Sequence, residues 1–570
     1  MQKFLITAAL PYANGPLHFG HLAGAYLPAD VVVRHKRLQG QQVMFICGSD
    51  EHGVAIMLNA QKEKKNYKEY VDFWHKEHAE LFARYDIKFD FFGQTSAKYH
   101  QEEVVEWFKL LHAKGYIAPK DTDQLFCSDC KNHLPDRFVE GVCYSCGYSA
   151  ARGDECPACG LWIEASRLKN PVCKICGSHN IELVSVSQYY LLLSKFHKEF
   201  RHWFEPKKES WRKTVYPFVD SLTNENLHDR AITRDLDWGI DVPLAQAAGK
   251  KLYVWFDAPI GYVSNTKEYL RSIGSSDHYL NDWWDNANTT IVNFVGKDNI
   301  IFHGIIFPVM SLASGRVQAV SDLPANQYVN LEGKQFSKST GWYIDAKAAL
   351  DDFEADFLRY YLISIIPESA DSSFAWDHFH AKINNELANN VGNLVNRVLK
   401  FWQKNWPQGI ESRYFSQFAS LPINAQLLES IKKINSDLDS YHIRKALEEV
   451  MAIGHMSNNF FSDRAPWAQI KSDESAAKET IAQSALLVFV LGVMMRPFLP
   501  TLSAKILAYF FEGEDESLIK EIYSGNLSAL SKIYSKEEKF VLKKGPDALI
   551  HKIDDLLIKK LNDILKQKIS

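Results

Sequence analysis

The stretch Phe4-Leu-Ile-Thr-Ala-Ala-Leu-Pro-Tyr-Ala-Asn-Gly-Pro-Leu-His18-Phe-Gly-His21 decides the architecture of this chain. Phe4 to Ala9 is a short apolar run with a β-branched centre, which predicts a strand. Pro11, Asn14, Gly15 and Pro16 then predict a loop. Residues from Leu22 to Leu38 predict a helix that Gly40 ends, and Val43 to Cys47 a second apolar strand. Strand, helix and strand in that order form a βαβ unit, whose parallel sheet places ligands at the carboxyl ends of its strands. His18 and His21 stand at the start of the helix, where unpaired N–H groups and the positive dipole end favour phosphate. Gly20 leaves space for a nucleotide to approach the backbone. Two imidazoles there can donate hydrogen bonds as charge builds on phosphate oxygens. The plainer alternatives for this tetrapeptide are a metal pair or two surface histidines.

Further apolar runs at Leu252–Phe256 and Ile291–Val295 predict that the same sheet resumes after an insertion of roughly 120 residues. That insertion holds eight of the nine cysteines, as Cys127/Cys130, Cys143/Cys146, Cys156/Cys159 and Cys173/Cys176. Each C-x-x-C pair supplies half of a tetrahedral thiolate site, so four halves can form two sites in any of three pairings. Closed four-thiolate sites are structural, and zinc is the expected metal rather than redox dithiols. A stand-alone zinc-ribbon binder of nucleic acid is the competing class, but it leaves the phosphate site and the long helical half unexplained. Downstream, Glu332-Gly-Lys-Gln-Phe-Ser-Lys-Ser-Thr-Gly341 reads as a polar loop between two glycines, with Lys338 as a point charge for a pyrophosphate leaving group.

From Phe353 to about Leu507 the pattern is helical. After Pro546, Ile550, Ile553, Leu557, Leu561 and Ile564 recur at spacings of three and four and predict an amphipathic tail helix docked on the body. The formal net charge of −4 excludes a global polycation, so a nucleic-acid partner needs a local basic patch. The amino-terminal residues lack a basic leader, and no uninterrupted apolar run is expected to span a bilayer, so the cytoplasm is the expected compartment. Cys47 reads as a small buried residue rather than a nucleophile.

His18-Phe-Gly-His21 resembles the HIGH motif of class I aminoacyl-tRNA synthetases, and Gln335-Phe-Ser-Lys-Ser339 their KMSKS motif, in the family's order. Gln335 replaces the usual first lysine, and Lys334 stands one residue earlier; the second lysine is present as Lys338. The resemblance narrows to methionyl-tRNA synthetases along nearly the whole chain. It is carried by Ala9–Gly15, Cys47-Gly-Ser-Asp-Glu-His-Gly53, Trp255-Phe-Asp-Ala-Pro-Ile-Gly-Tyr262 and Gly296-Lys-Asp-Asn-Ile-Ile-Phe-His303. Isoleucine, valine and leucine enzymes share a segment like Thr233–Gly239 but carry a much larger editing insertion.

The resemblance implies an α/β fold: a Rossmann-type parallel-sheet catalytic domain with a zinc-knuckle insertion, followed by an α-helical bundle anticodon-binding domain. It divides the chain into a first catalytic half (1–115), the insertion (116–232), a second catalytic half (233–325), a linker domain with the KMSKS loop (326–380), the helical domain (381–540) and the tail helix (541–570). It implies His18, His21 and Lys338 as catalytic, with Gly20 also at ATP. It implies Leu10, Tyr12, Trp255, Ala258, Pro259, Tyr262, Phe302 and His303 around the methionine side chain, and Asp50 on its ammonium group. Asn389, Asn393, Arg397 and Trp467 are implied at the anticodon. For the cysteines it supports nesting: Cys143, Cys146, Cys156 and Cys159 in one zinc site, Cys127, Cys130, Cys173 and Cys176 in the other. The expected reaction joins L-methionine and ATP, with Mg²⁺, into methionyl-adenylate and then charges initiator and elongator tRNA(Met). A monomer with no DNA or membrane partner is expected. The runner-up is a degenerate paralogue that binds tRNA and zinc without catalysis.

Overall fold

A computed structural model describes residues 2 to 567 apart from 136–137, 154–155, 160, 162, 276–277, 338–340, 514 and 536. Its centre is a five-stranded parallel sheet. β1 (Lys3–Ala8) pairs on one side with β2 (Gln42–Ser49), which pairs with β3 (Phe91–Gln94). On its other side β1 pairs in parallel with β6 (Thr289–Gly296), from Lys3↔Thr289 to Ala8↔Phe294, and β6 with β7 (Ala325–Asn326). Leu5, Ile6, Phe45 and Ile46 are fully buried, as expected of strands covered on both faces. The insertion between β3 and β6 is framed by the long antiparallel pair β4 (Ile117–Cys127) and β5 (Ile181–Leu191).

The first crossover helix, α1, begins at Phe19–His21, passes through a π turn at Leu22–Tyr26 and continues through Leu27–Leu38. It therefore starts earlier than Leu22. Pro28 lacks an N–H, so the Gly24 carbonyl loses its helical donor. Asn326 of β7 replaces it, donating Nδ2 at 2.7 Å. The Asn326 side-chain oxygen in turn accepts from Arg212 at 2.6 Å. A buried amide thus ties the first crossover helix to the last strand of the sheet.

Three sequence expectations for the sheet region need correction. Leu252–Phe256 is not a strand of the parallel sheet. Lys251–Leu252 pairs antiparallel with Thr233–Arg234, and Val254–Asp257 forms a short helix, α2. A five-residue apolar run is compatible with a buried strand or a buried helical turn, and periodicity does not separate them. Phe91–Gln94 is a sheet strand that the sequence pattern did not single out, being only four residues long. β8 (Val329–Leu331) pairs in parallel with β9 (Ser372–Phe374), which interrupts the helical half.

α3 (Ile260–Ser272) packs behind the sheet together with helices such as Lys98–Ala113, and the helices from Trp376 onward form the second body. A π stretch Ile383–Gly392 runs into α4 (Asn393–Asn405); α5 (Ile423–Asp439), α6 (Ile443–Arg464), α7 (Pro466–Ser472), α8 (Glu474–Met495) and α9 (Glu516–Tyr523) follow. α8 is long and apolar enough to cross a membrane, contrary to the sequence expectation, but 89% of its most apolar stretch is buried inside the bundle. The tail helix, α10, spans only Asp555–Gln567, so Ile550 and Ile553 lie before it, buried in a segment without regular secondary structure. Its covered face is Ile558 and Leu565, while Ile564 is 41% exposed.

The two bodies meet at Arg359, which has no exposed surface. It donates to Asp30 of α1 at 2.8 Å, to the Tyr85 carbonyl at 2.9 Å and to the Phe498 carbonyl at 2.8 Å. Burial opposes ionisation of Asp30, yet Arg34 and Arg359 hold its carboxyl below the usual carboxylate range. Arg359→Met would leave two buried carbonyls without their donor and half-strip Asp30 of its partners. The expected loss is about 3 kcal/mol, read as a lower thermal midpoint; an unchanged midpoint contradicts this account of the junction.

Candidate functional site

The carboxyl ends of β1, β2 and β6 converge where the strand order reverses, the usual ligand crevice of such a sheet. β1 and β2 extend past their last strand residues through the pairing of Tyr12 with Asp50; Ala13 N–H donates to the Asp50 carbonyl at 2.9 Å. Leu10, Tyr12 and Asp50 are thereby brought side by side. α2 and the turn into α3 bring Trp255, Ala258, Pro259 and Tyr262. Beyond β6, a second π turn at Phe302–Ile306 brings Phe302 and His303.

These residues make two ring contacts. Trp255 and Phe302 lie with centroids 4.2 Å apart and tilted by 50°. The Tyr262 hydroxyl lies 2.8 Å from His303 Nε2, and His303 Nδ1 lies 3.0 Å from the Asn299 carbonyl. A carbonyl only accepts, so Nδ1 carries the proton and Nε2 accepts from Tyr262. Burial holds His303 down to about 4, so the ring is neutral near pH 7. Gly261 packs against Leu10; a Cβ there would lie 3.3 Å from the Leu10 side chain.

Asp50 is 5% exposed and its Oδ1 has no hydrogen-bond partner. Burial, then the nearby Asp257, push its pKa well above the carboxylate range. The His52 backbone N–H bonds this carboxyl, but a buried carboxylate with one oxygen left unpartnered is costly, and a cationic ligand would relieve it. Asp257 is itself raised by burial and is held by His52 Nδ1 at 2.6 Å. This His52–Asp257 pair was missed in sequence reading, although both lie inside the segments quoted for the resemblance.

The first motif meets the second directly. The His18 ring stacks on Phe336 with centroids 4.5 Å apart and planes within 6°. His18 pairs with Asp345, the Ala346 N–H donates to the Leu17 carbonyl at 3.0 Å, and Ser337 pairs with Trp342. A Cβ on Gly20 would sit 3.0 Å from the His18 ring and 3.5 Å from Phe336, so glycine is what this approach admits. The His18 backbone N–H donates to His21 Nδ1 at 3.1 Å. That bond makes Nδ1 the acceptor and puts the ring proton of the neutral imidazole on Nε2. Lys338 lies outside the described residues. Lys334, the displaced lysine, sits with its ammonium 5.8 Å from the Trp342 ring centre. Phe336 escaped sequence reading as a site residue because an aromatic in a polar loop reads as an anchor.

All nine cysteines are free of disulfides. Cys127, Cys130, Cys173 and Cys176 form one group and Cys143, Cys146, Cys156 and Cys159 another, each with all sulfurs within 4.8 Å of one another. Sγ–Sγ distances of 3.6, 3.7 and 3.6 Å join Cys127/Cys176, Cys130/Cys173 and Cys146/Cys156. A tetrahedral Zn–S length of about 2.3 Å demands S···S edges of about 3.8 Å, so both groups fit zinc. Backbone N–H groups aimed at the sulfurs, that of Cys130 onto Cys127 and that of Cys146 onto Cys143, hold those two thiols down to about 7.

A cleft of about 750 Å³ opens between the β4/β5 ladder and α2, next to Trp255. Lys120 lies over the Tyr190 ring at 5.2 Å and Arg234 over Tyr253 at 3.9 Å. In the helical body Asn389, Asn393 and Arg397 are all exposed on one face. The Arg397 guanidinium lies 4.8 Å from the Phe461 ring and 5.5 Å from Trp467, which is 43% exposed. The structure thus brings Arg397 and Trp467 together, far from the sheet crevice.

Two family models match the chain. Residues 4–399 match the family model described as tRNA synthetases class I (M), and residues 418–562 that for the anticodon binding domain of methionyl tRNA ligase. A methionine–tRNA ligase of Pyrococcus furiosus is 41% identical over 522 residues, covering 89% of this chain and 71% of the relative. One from Rubrobacter xylanophilus is 38% identical over 537 residues, covering 91% of each. In fold, the chain resembles Mycobacterium tuberculosis methionyl-tRNA synthetase solved with methionyl-adenylate. The TM-score is 0.75 at 21% identity, over 96% of this chain and 100% of that one.

The neutral state of His303 has a consequence for acid stability, shared with His100, which burial holds down to about 3. An unfolded imidazole titrates near 6.5, so between that value and 4 the unfolded chain binds more protons. This stabilisation is complete above pH 6.5 and is lost as pH falls toward 4, on the order of 3 kcal/mol for His303. His303→Gln should flatten the decline of the thermal midpoint between pH 6.5 and 4; an identical slope contradicts the assignment.

Proposed function

From the premise that the chain belongs to the methionyl-tRNA synthetase family, we propose how its residues divide the work of a class I methionine–tRNA ligase. The reaction activates L-methionine with ATP to methionyl-adenylate and transfers methionine to tRNA(Met). The observation that carries the residue reading is the stacking of His18 on Phe336, which joins the two class I motifs face to face.

The Trp255–Phe302 pair and the Tyr262–His303 pair surround the thioether, with Leu10, Tyr12, Ala258 and Pro259 completing the walls. A polarizable sulfur gains from contact with ring edges. The neutral His303 adds no charge to the pocket, and its donor and acceptor are already engaged by protein atoms. The unpartnered Oδ1 of Asp50 receives the α-ammonium, which also favours ionisation of that carboxyl. The methionine carboxylate oxygen then attacks the α-phosphate in line, forming the acyl–phosphate bond as the α–β phosphoanhydride bond breaks and pyrophosphate leaves. Catalysis is mainly positioning and charge stabilisation, with no covalent enzyme nucleophile. His18, the His21 Nε2–H and Lys338 offset the phosphate charge, Gly20 permits the close approach, and Mg²⁺ enters with ATP.

Zinc in the two thiolate groups would cross-link the insertion and leave no open position for chemistry. Zinc-bound knuckles would brace the ladder that walls the 750 Å³ cleft, and Lys120 and Tyr190 suit the phosphates and bases of a single-stranded tRNA end. Arg397 and Trp467, with Asn389 and Asn393, suit splayed anticodon bases, by stacking and by hydrogen bonds to their edges. Initiator and elongator tRNA(Met) are the partners in this reading, DNA and membranes are not, and the enzyme works as a cytoplasmic monomer. The division of the chain at 115/116, 232/233, 325/326, 380/381 and 540/541 belongs to the same proposal.

The test is amino-acid-dependent ATP–pyrophosphate exchange on the purified chain, without tRNA, across methionine, isoleucine, valine, leucine and cysteine. Exchange with methionine alone is expected. Exchange with another of the five overturns the pocket assignment. No exchange, with tRNA still captured, marks a degenerate binder. Metal analysis should return two zinc ions per chain; one or none contradicts the cysteine reading.

A further inference from the structure

α1 leaves the nucleotide site at His21 and ends at Leu38, a rise of about 1.5 Å per residue carrying it across the sheet domain. Its last turns meet the helical body rather than solvent. His35, with no exposed surface, lies 2.8 Å through Nδ1 from the Tyr523 hydroxyl and 2.8 Å through Nε2 from Asp439 Oδ1. The Lys36 ammonium bonds the same Asp439 oxygen. Asp439 is the last residue of α5 and Tyr523 the last of α9.

The bonding directions follow from chemistry. A carboxylate only accepts, so His35 Nε2 donates to Asp439. Burial keeps the imidazole neutral, so Nδ1 accepts from the Tyr523 hydroxyl. Burial opposes ionisation of Asp439, yet the bonds from His35 and Lys36 hold its carboxyl far below the usual range. An apolar contact between two bodies tolerates sliding. A directed network of this kind has one geometry.

The exposed Asn389 face is tied to α5 through α6. Asn390, beside Asn389, donates Nδ2 to the Met451 carbonyl of α6 at 3.1 Å and accepts from Asn458 of α6 at 2.9 Å. α6 packs along α5. Packed elements therefore run without a gap from the proposed anticodon face, through α6 and α5, to Asp439, and along α1 to His21.

We propose that Asp439, gripping His35 and Lys36, is the positioning contact through which tRNA seated on the helical body acts on the nucleotide site. Transfer of methionine to tRNA depends on it, and tRNA-free activation does not. The proposal rests on the anticodon reading above.

The test compares full-length wild type, Asp439→Asn, Asp439→Glu, Tyr523→Phe and Trp467→Ala. Methionine-dependent exchange without tRNA is measured beside single-turnover transfer from preformed adenylate to saturating tRNA(Met). Asp439→Asn should leave exchange within about twofold and slow transfer about tenfold, a coupling of ordinary size. Asp439→Glu, which keeps the charge, should recover part of the transfer rate. Tyr523→Phe, which removes only a hydroxyl, should show a smaller loss confined to transfer. The penalty of Trp467→Ala on transfer should shrink in the Asp439→Asn background, because its route is already cut. Equal losses in exchange and transfer, no loss in transfer, or strictly additive penalties would each overturn the proposal. Absence of exchange in wild type would instead overturn the reading it rests on.

Discussion

The parallel pairing of Lys3–Ala8 with Thr289–Gly296 is the constraint from which the site follows. It joins strands separated by the whole insertion, and the loop entropy of that closure is repaid by a ladder buried on both faces. Once the pairing exists, the carboxyl ends of β1, β2 and β6 lie side by side. Tyr12 and Asp50 come from one side of the long insertion in sequence and Trp255, Phe302 and His303 from the other. A shift of one residue in this register would turn every side chain past β6 to the opposite face. The Asn326 amide, filling the carbonyl that Pro28 leaves without a donor, fastens the first crossover helix to the far side of the same sheet.

Burial then sets the chemistry. The crevice keeps His303 neutral and Asp50 short of partners, so the two neighbours prepare opposite things: an uncharged wall and an incomplete carboxylate. The His18–Phe336 stack closes the end proposed for phosphate, while Arg359 and Asp439 fix the helical body to α1 at two separate points. The same helix therefore presents the histidines at its start and carries both junctions further along.

Much of this was legible in sequence where a residue type carries its own constraint. The βαβ start was readable because Gly, Pro and β-branched residues punctuate it. The cysteine groups were readable because C-x-x-C spacing leaves few geometries; the nesting itself needed the resemblance. Leu252–Phe256 was misread because a short aromatic run suits a buried helical turn as well as a strand. The tail helix was placed too early because Ile550 and Ile553 continue the helical spacing while packing from a segment outside any helix. The His35–Asp439–Tyr523 network left no signal, since its members are far apart in sequence and each alone reads as an ordinary polar residue. Phe336 was named in the motif, but its stacking on His18 depends on the tertiary pairing of Asp345 and Ala346 with the Leu17–His18 turn.

The central claim is that strand ends distant in sequence assemble one methionine site around the unpartnered oxygen of Asp50. The most direct measurement is calorimetric titration of L-methionine into wild type and Asp50→Asn, without ATP or tRNA. The account predicts that wild type binds and that Asp50→Asn weakens binding by at least about tenfold, the scale of one charge-assisted hydrogen bond. Equal affinity in the two proteins would contradict it.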